Sequence, residues 1–372
     1  MKHESNYLYS FLVKADYPGF TKPAKNQLIN LVLSVESFNL THTKIELISC
    51  IIAIFINLIH IAVISRPSMR HASTNVLLLG MALTDVISLI LEVREDGIIL
   101  FWRHDECHEP VILFKAVHYL WPVLVDDFTR RLSTYISLSL VTLRAIVVSR
   151  ASNKQFLFLT TSKTGWIIVL ANSLVSALLC IPLYLSYELK SYDWEPASQC
   201  LLKMPNNSSK EYIYIEKPSL ILNFCVQTML DAVVEKYIPC VLFILMTTFL
   251  IKSLTSVGNH FVGGTRVIET DKTSKLVLFT TISALMCELP VGLLFMFRSF
   301  NVNVPAYVIL SDKLVSYCYL LYVLNTTVHS FICYKLSSQY RKTLKRLLCA
   351  RANKALKMSI TSIRIAKPLS VT

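Results

Sequence analysis

The sequence has few charged residues. Asp, Glu, Lys and Arg make up only 16% of its 372 residues, whereas soluble domains carry about 25%. Hydrophobic residues make up 53%, and they gather in several runs of about 20 residues, which is the length that crosses a bilayer. The composition therefore excludes an ordinary soluble domain and predicts a protein that crosses the membrane several times.

The sequence also lacks the motifs of an enzyme or a metalloprotein. Its ten cysteines include no CxxC pair and no zinc-binding spacing, and most lie inside apolar runs, where a buried free thiol is expected. No nucleophile–base pair is recognisable. Residues 1–30 contain no basic stretch followed by a clean apolar core, so we expect no cleavable signal peptide. We predict neither an enzymatic activity nor a cofactor.

The net charge of +13 could suggest a nucleic-acid partner, but the distribution of the charge argues against one. The basic residues cluster in loops beside the apolar runs and in the C-terminal tail, a pattern typical of membrane topology and of contact with anionic lipid. Their bias places the N-terminus outside the cell and the C-terminus inside. The predicted partner of this charge is the lipid bilayer.

Seven apolar segments follow one another along the chain, and they predict an all-α membrane protein, a seven-transmembrane helix bundle. We place them at about Lys44–Ser65, Asn75–Val93, Val111–Arg150, Thr164–Leu185, Pro218–Leu250, Leu276–Phe297 and Lys313–Tyr334. The third segment is about twice as long as a bilayer requires. Its helix must therefore begin late, break near Pro122 or project from the membrane.

The chain divides into three predicted regions. Residues 1–43 form a loosely ordered extracellular tail, residues 44–335 form the seven-transmembrane domain, and residues 336–372 form an amphipathic helix and a cytoplasmic tail. The basic segment Ser337–Leu348 would be an eighth helix that lies on anionic head groups. Cys349, directly after it, is either a palmitoylation site or an unmodified thiol.

Charged residues lie deep in the third segment. Asp126 and Asp127 stand four residues before Arg130 and Arg131, so each acid can pair with one arginine on the same helix face. The two arginines precede Arg144 by about 20 Å of helix, which is too deep in a core of about 30 Å for a surface anchor. We expect them to face the bundle interior.

Two further acids are predicted at membrane depth. Asp85 in the second segment has a structural contact with Asn57, or holds an ion or water that changes on activation; both interpretations stay open. Glu288 in the sixth segment lies at a depth similar to that of Arg130 and Arg131, and we expect it to pair with one of them. That pair is either purely structural or an activation switch.

Several segments contain a characteristic residue or short motif, and together these motifs resemble those of the rhodopsin-like G-protein-coupled receptors. They are Asn57, the LxxxD pattern of Leu79–Asp85, Arg144 at the end of the third segment, Trp166, Pro239, Pro290, and NTTVH at Asn325–His329. The combination of RRLSTY with LRxIVV, DKTSKL with ELPVG, and LNTTVH with SSQYRK resembles nematode serpentine receptors of class W over about residues 40–348. That class resembles FMRFamide-type neuropeptide receptors.

The sequence departs from the rhodopsin-like pattern in several places. Leu143 replaces the acid before Arg144, Glu288 replaces a tryptophan, Thr326 replaces a proline, and His329 replaces a tyrosine. Cys107 precedes Arg144 by 37 residues, which is more than the pattern has. The missing acid implies that one resting-state lock is absent.

The resemblance implies roles for individual residues. Arg144 would contact a heterotrimeric G protein, although it could also be an ordinary interfacial arginine. An activation switch is implied for Asn57, Asp85, Glu288, Pro290, Asn325 and His329. Cys107 and Cys200 would form the disulfide that joins the third segment to the second outer loop. Glycosylation sequons begin at Asn39, Asn206 and Asn207.

The predicted outer mouth of the bundle is acidic and would favour a cationic ligand. The ligand-binding residues that we predict are Asp126, Asp127, Arg130, Arg131, Asp231, Glu235, Glu288, Tyr317 and Tyr319. An amidated Arg-Phe peptide would place its guanidinium against a carboxylate and its ring against an aromatic surface. Alternatively, Asp231 and Asp312 are simply solvated acids.

A second functional class has to be weighed against a receptor in the plasma membrane. A transporter or channel could use an intramembrane charge relay through Asp85, Asp127, Arg131 and Glu288. Transporters usually show internal repeats, and none is recognisable here. A retinal-binding protein is not expected, because Lys313 lies at the outer edge of the seventh segment. The sequence therefore favours a receptor for an extracellular peptide or small molecule.

Overall fold

The computed structural model describes residues 9–15, 17, 19–101, 113–150, 154–194, 209–216, 229, 231–260, 265–301 and 303–349. Seven of the described helices are long and apolar enough to cross a membrane. We number them as spans 1 to 7: Asn39–Ile64, Ser73–Phe101, Leu113–Ser149, Ser162–Ser186, Ile238–His260 with the preceding π-helix Asp231–Tyr237, Thr265–Phe300 and Pro305–Leu336. The predicted seven-transmembrane bundle is confirmed.

Span 3 resolves the question that its length raised. It is one continuous helix of 37 residues with Pro122 inside it, so the proline does not end it. A helix of that length exceeds the thickness of the hydrocarbon core, so it projects from the membrane. Span 5 ends at His260, beyond the predicted end at Leu250, and span 6 begins at Thr265, before the predicted start at Leu276.

The N-terminal region is helical, and the prediction of a loosely ordered tail was wrong for its described part. A helix at Lys22–Ser37 buries Leu28, Ile29 and Val32, which share one face at helical spacing. This face packs on the start of span 7, in a cluster that includes Val304, Ala306 and Leu310. Glu36 also pairs with Lys313 of span 7 at 2.9 Å. The helix is thus docked on the bundle.

A β-hairpin stands between spans 4 and 5, where the sequence predicted only a loop. Strand β1 (Tyr187–Trp194) pairs antiparallel with strand β2 (Ser209–Glu216), from Tyr187 opposite Glu216 to Trp194 opposite Ser209. Successive spans run in opposite directions, so the end of span 4 lies on the same side of the bundle as the start of span 1. The hairpin begins directly after span 4 and therefore lies at that end. We call this the hairpin end and the opposite one the tail end.

The predicted eighth helix is present at residues 338–349. Tyr340 is buried, and its hydroxyl lies 3.0 Å from Nδ1 of His60 in span 1. Leu344 and Leu347 pack against the main apolar cluster. Arg341 donates hydrogen bonds to backbone carbonyls in the last turn of span 7. The helix therefore joins spans 1 and 7 at the tail end.

The main core surrounds span 3. Its largest fully buried side chains include Ile136 and Leu140 of span 3 and Phe243 and Leu250 of span 5. Span 4 approaches span 2 closely at Gly165. A Cβ added there would lie 2.8 Å from Cβ of Val76 and 3.0 Å from the carbonyl oxygen of Ser73.

Gly165→Ala is therefore expected to destabilise the bundle by about 1–3 kcal/mol, because the methyl group overpacks the contact between spans 2 and 4. Gly97→Ala is the matched control, since Gly97 is also helical and has nothing within 4 Å of its added Cβ. There the change should stabilise by about 0.5–1 kcal/mol. Thermal unfolding of the purified protein measures both, and equal midpoints for the two variants would contradict the close approach.

Candidate functional site

A cavity of about 430 Å³ lies between spans 2, 3, 5, 6 and 7 in the hairpin half of the bundle. Its wall carries six acidic and three basic side chains: Glu92, Glu95, Asp126, Asp127, Glu235 and Glu288, with Arg130, Lys236 and Arg298. Apolar and aromatic side chains complete it, among them Val291, Phe295, Tyr319 and Tyr322. The formal charge of the wall is therefore negative.

Arg130 stands between acids and aromatic rings. Its Nε lies 2.8 Å from Asp126 of the same helix, and its Nη2 lies 3.1 Å from Glu92 of span 2. Its Cζ is 4.0 Å from the ring centroid of Tyr319 and 5.6 Å from that of Tyr322, both in span 7. The guanidinium thus connects spans 2, 3 and 7 at the cavity wall.

Arg131 points to the other side of span 3 and is buried, with 3% of its surface exposed. It pairs with Asp127 at 2.8 Å and with Glu235 of span 5. Its Nη1 also lies 3.5 Å from the carbonyl oxygen of Ser176 and from Sγ of Cys180, both in span 4. The two predicted pairs four residues apart are both present, and Arg131 additionally links spans 3, 4 and 5.

The predicted pairing of Glu288 with Arg130 or Arg131 was wrong. Glu288 pairs with Lys236 at 2.7 Å and accepts a hydrogen bond from Thr134 at 2.8 Å. The reason lies one turn later, at Gly292, where an added Cβ would stand 2.8 Å from Cβ of Lys236. Without a side chain at Gly292, span 5 approaches closely enough for Lys236 to reach Glu288.

Asp85 also has partners other than the one predicted. It accepts a hydrogen bond from Ser133 at 2.7 Å and one from Tyr322 at 3.3 Å. Asn57 donates instead to the carbonyl of Ala53 in its own helix, at 3.0 Å. Because Tyr322 also lines the cavity, Asp85 is connected to the cavity floor through a single side chain.

Of the other predicted switch and coupling residues, Asn325, His329 and Arg144 lie towards the tail end, whereas Pro290 stands between Glu288 and Val291 of the cavity wall. Asn325 accepts a hydrogen bond from Ser283 of span 6 at 2.6 Å, Pro290 lies inside the helix of span 6, and His329 is buried. Nε of Arg144 is buried without a hydrogen-bond partner. Within the described side chains, Arg144 makes no ion pair, and Leu143 beside it belongs to the main apolar core.

The remaining predicted residues are not brought to the cavity. The hydroxyl of Tyr317 donates to the carbonyl of Val35 in the N-terminal helix at 2.7 Å, so Tyr317 fixes that helix. Asn39 begins span 1, and Cys349 is exposed at the end of the C-terminal helix. Cys107, Cys200, Asn206, Asn207 and the side chain of Asp231 lie outside the described residues.

Sequence reasoning missed several cavity residues, above all Glu92 and Tyr322. A signal for Glu92 existed, because it follows Asp85 by seven residues and hence shares its helix face. It lay at the very end of the second predicted segment, Asn75–Val93, which stopped short of the observed end at Phe101. Tyr322 gave no comparable signal, since tyrosines are scattered along the whole seventh segment.

Comparison with known proteins gives one family. A family model described as "Serpentine type 7TM GPCR chemoreceptor Srw" matches residues 44–351. A comparison with curated proteins returns no match. The family match spans all seven membrane helices and the helix at 338–349, and it favours a receptor over a transporter. The chain therefore belongs to the Srw family of serpentine seven-transmembrane chemoreceptors, as its motifs predicted.

Proposed function

We propose that this receptor sits in the plasma membrane with its hairpin end outside the cell. Residues 1–43 are then extracellular, residues 44–335 form the receptor domain, and residues 336–372 form the cytoplasmic helix and tail. The lysine and arginine bias of the loops supports this orientation. The sequons beginning at Asn39, Asn206 and Asn207, and a disulfide between Cys107 and Cys200, suit an extracellular hairpin end.

The ligand that we propose for the cavity is cationic, and an amidated peptide ending in Arg-Phe fits it best. The observation that carries this proposal is the acidic excess of the wall: six acidic side chains stand against three basic ones and Arg131, which pairs with two of the acids from behind the wall. A volume of about 430 Å³ lies in the range of small-molecule pockets, so the cavity holds the end of a peptide rather than its whole length. A small cationic chemosensory compound would complement the negative charge of the wall in the same way.

The response that we propose is activation of a heterotrimeric G protein through Arg144 at the tail end. The hydrogen bond from Tyr322 to Asp85 connects the cavity wall with span 2. The hydrogen bond from Ser283 to Asn325 joins spans 6 and 7 about one turn closer to the tail end. Rearrangement of these contacts, with Asn57, Pro290 and His329 around them, is the switch that we infer. Palmitoylation of Cys349 would add a lipid anchor at the same end.

The test is a screen of amidated peptides in cells that express the receptor and a calcium reporter. Peptides ending in Arg-Phe-amide should activate it, and replacing their arginine with uncharged citrulline should lower the potency about 10- to 100-fold, the value of a charged hydrogen bond. Glu95→Gln should lower the potency of the arginine peptides, because Glu95 is a half-exposed acid on the cavity wall, where a ligand guanidinium can compete with its ion-pair partner Arg94.

Asp193→Asn is the matched control, since Asp193 is an exposed acid on strand β1 and away from the cavity wall. It should leave the potency unchanged. Equal potency of the arginine and citrulline peptides, or activation only by anionic compounds, would refute a cationic ligand. Activation by small amines but by no peptide would support a cationic ligand and exclude a peptide.

A further inference from the structure

Three carboxylates from spans 1 and 2 meet at the hairpin end of the bundle, beside the cavity. Glu46 belongs to span 1, and Glu92 and Asp96 belong to span 2, where their spacing of four residues places them on one face. One oxygen of each residue lies within 4.8 Å of the others. Like charges at this distance repel one another strongly where water is scarce.

Two members of this cluster are buried without the partners that such acids need. Glu46 is 2% exposed and Asp96 is 3% exposed. Oε1 of Glu46 and Oδ2 of Asp96 are both inaccessible to solvent and have no hydrogen-bond partner. An unpaired buried carboxylate costs several kcal/mol. The cluster therefore needs a positive charge.

The neighbouring side chains do not supply enough of it. Arg130 pairs with Glu92 and shares its charge with Asp126. His42, one turn before Glu46, has Nδ1 at 3.3 Å from a Glu46 oxygen, and its side chain is nine-tenths buried. Both of its ring nitrogens lack a hydrogen-bond partner. His42 is thus a fourth polar side chain at the cluster, and it is a basic one with no hydrogen-bond partner for its ring nitrogens.

We propose that Glu46, Glu92 and Asp96 bind a divalent cation of the size of Ca²⁺. Two ligands on opposite sides of an ion are separated by at most twice the metal–oxygen distance. That distance is about 2.3–2.6 Å for Ca²⁺ and 2.0–2.1 Å for Mg²⁺. Oxygens that lie within 4.8 Å of one another can therefore share one Ca²⁺ without rearrangement. Ca²⁺ is also favoured because it accepts flexible ligand geometry, whereas Mg²⁺ demands a near-ideal octahedron and gives up its water reluctantly. Water completes the shell, as is usual for this ion.

The site is connected with the cavity through Glu92, which lines the cavity wall and pairs with Arg130. A cation at the cluster fixes Glu92 and thereby the position of the Arg130 guanidinium over Tyr319. The site needs neither the proposed peptide nor the proposed G protein, so its test is separate from theirs.

Thermal unfolding of the purified receptor in nanodiscs of phosphatidylcholine tests the proposal. This lipid has no net charge, so the discs contain no anionic lipid that would bind calcium. Titration with CaCl₂ at constant ionic strength should raise the midpoint by about 2–4 °C near ten times the dissociation constant. We expect that constant at about 0.1–1 mM, as for extracellular calcium sites. MgCl₂ should give a smaller rise.

Glu46→Gln and Asp96→Asn should each raise the midpoint without calcium, since each removes one of the repelling charges, and each should lose the response to calcium. Asp193→Asn on the hairpin should keep the response. Equilibrium dialysis with ⁴⁵Ca²⁺ should find one site per receptor, lost in the two cluster variants. This second measurement does not depend on how the variants unfold.

Three results would overturn the site. The first is a wild-type receptor that neither binds nor responds to calcium. The second is an equal response to CaCl₂ in Glu46→Gln, which would place calcium elsewhere. The third is a receptor that binds no ⁴⁵Ca²⁺ but is stabilised on acidification to about pH 5 by as many degrees as we expect from calcium. Protons would then neutralise the cluster in place of a metal.

Discussion

Arg131→Met is expected to abolish folding of the receptor. Arg131 is 3% exposed, and its guanidinium is the shared partner of Asp127 and Glu235. Methionine fills much of the same volume but leaves both carboxylates without their cation. Removing one partner of a buried ion pair costs about 3–5 kcal/mol, and here two acids lose theirs. Surface labelling of cells and thermal unfolding of detergent-solubilised protein measure the loss.

Rescue by neutralisation distinguishes this cause from poor packing of the methionine. When Asp127→Asn and Glu235→Gln are added to Arg131→Met, no unpaired charge remains, and replacing a whole buried ion pair by neutral groups is often nearly neutral. The triple variant should therefore recover most of the surface expression. Arg130→Met is the neighbouring control and should be milder, because the Arg130 side chain is 31% exposed.

A single Arg131→Met variant that folds like the wild type would show that the ion pairs contribute little. A triple variant as defective as the single one would show that the shape of the arginine matters and not its charge. The coupling between these sites is measurable because all three side chains are in direct contact.

The charged pairs show which contacts a sequence can predict. Asp126 with Arg130 and Asp127 with Arg131 are local, because a spacing of four residues fixes their distance on any helix. The pairing of Arg131 with Glu235 is not local. It depends on how span 5 is rotated relative to span 3, and the residue spacing within one helix does not determine that rotation.

The error over Glu288 has the same origin. Counting residues from Arg144 gives the depth of a side chain in the membrane but not the direction in which it points. Glu288 and Arg131 lie at similar depth on different sides of the bundle, and the lysine that reaches Glu288 does so past Gly292. A small residue one turn from a buried acid marks a close helix approach, and that signal was available.

The parts of the fold outside the membrane were less predictable than the spans. Seven runs of about 20 apolar residues fix the number of spans, because the bilayer demands that length. The helix at Lys22–Ser37 has only a short apolar face, and nothing in that face tells that it docks on span 7. The hairpin strands alternate too weakly to stand out. Such elements depend on tertiary contacts that the local sequence does not contain.

The second large effect concerns the tail end, where Arg144→Ala is expected to abolish nucleotide exchange on the G protein. Nε of Arg144 is buried without a partner, and within the described side chains it forms no ion pair that would have to break first. The charged hydrogen bond that we propose to the G protein would contribute about 1.5–3 kcal/mol, so exchange should fall about 10- to 100-fold or more. Surface expression should persist, because no described contact of the guanidinium is lost.

Arg150→Ala is the control that separates this specific contact from the general positive charge of the tail end. Arg150 follows Arg144 by six residues, is exposed and lies over the ring of Phe156 at 5.7 Å. It should keep most of the exchange in membranes stimulated with the most active peptide of the screen. Retained exchange in Arg144→Ala would refute the coupling role. An equal loss in both variants would instead mean that Arg144 is an interfacial arginine whose charge acts like any other at that surface.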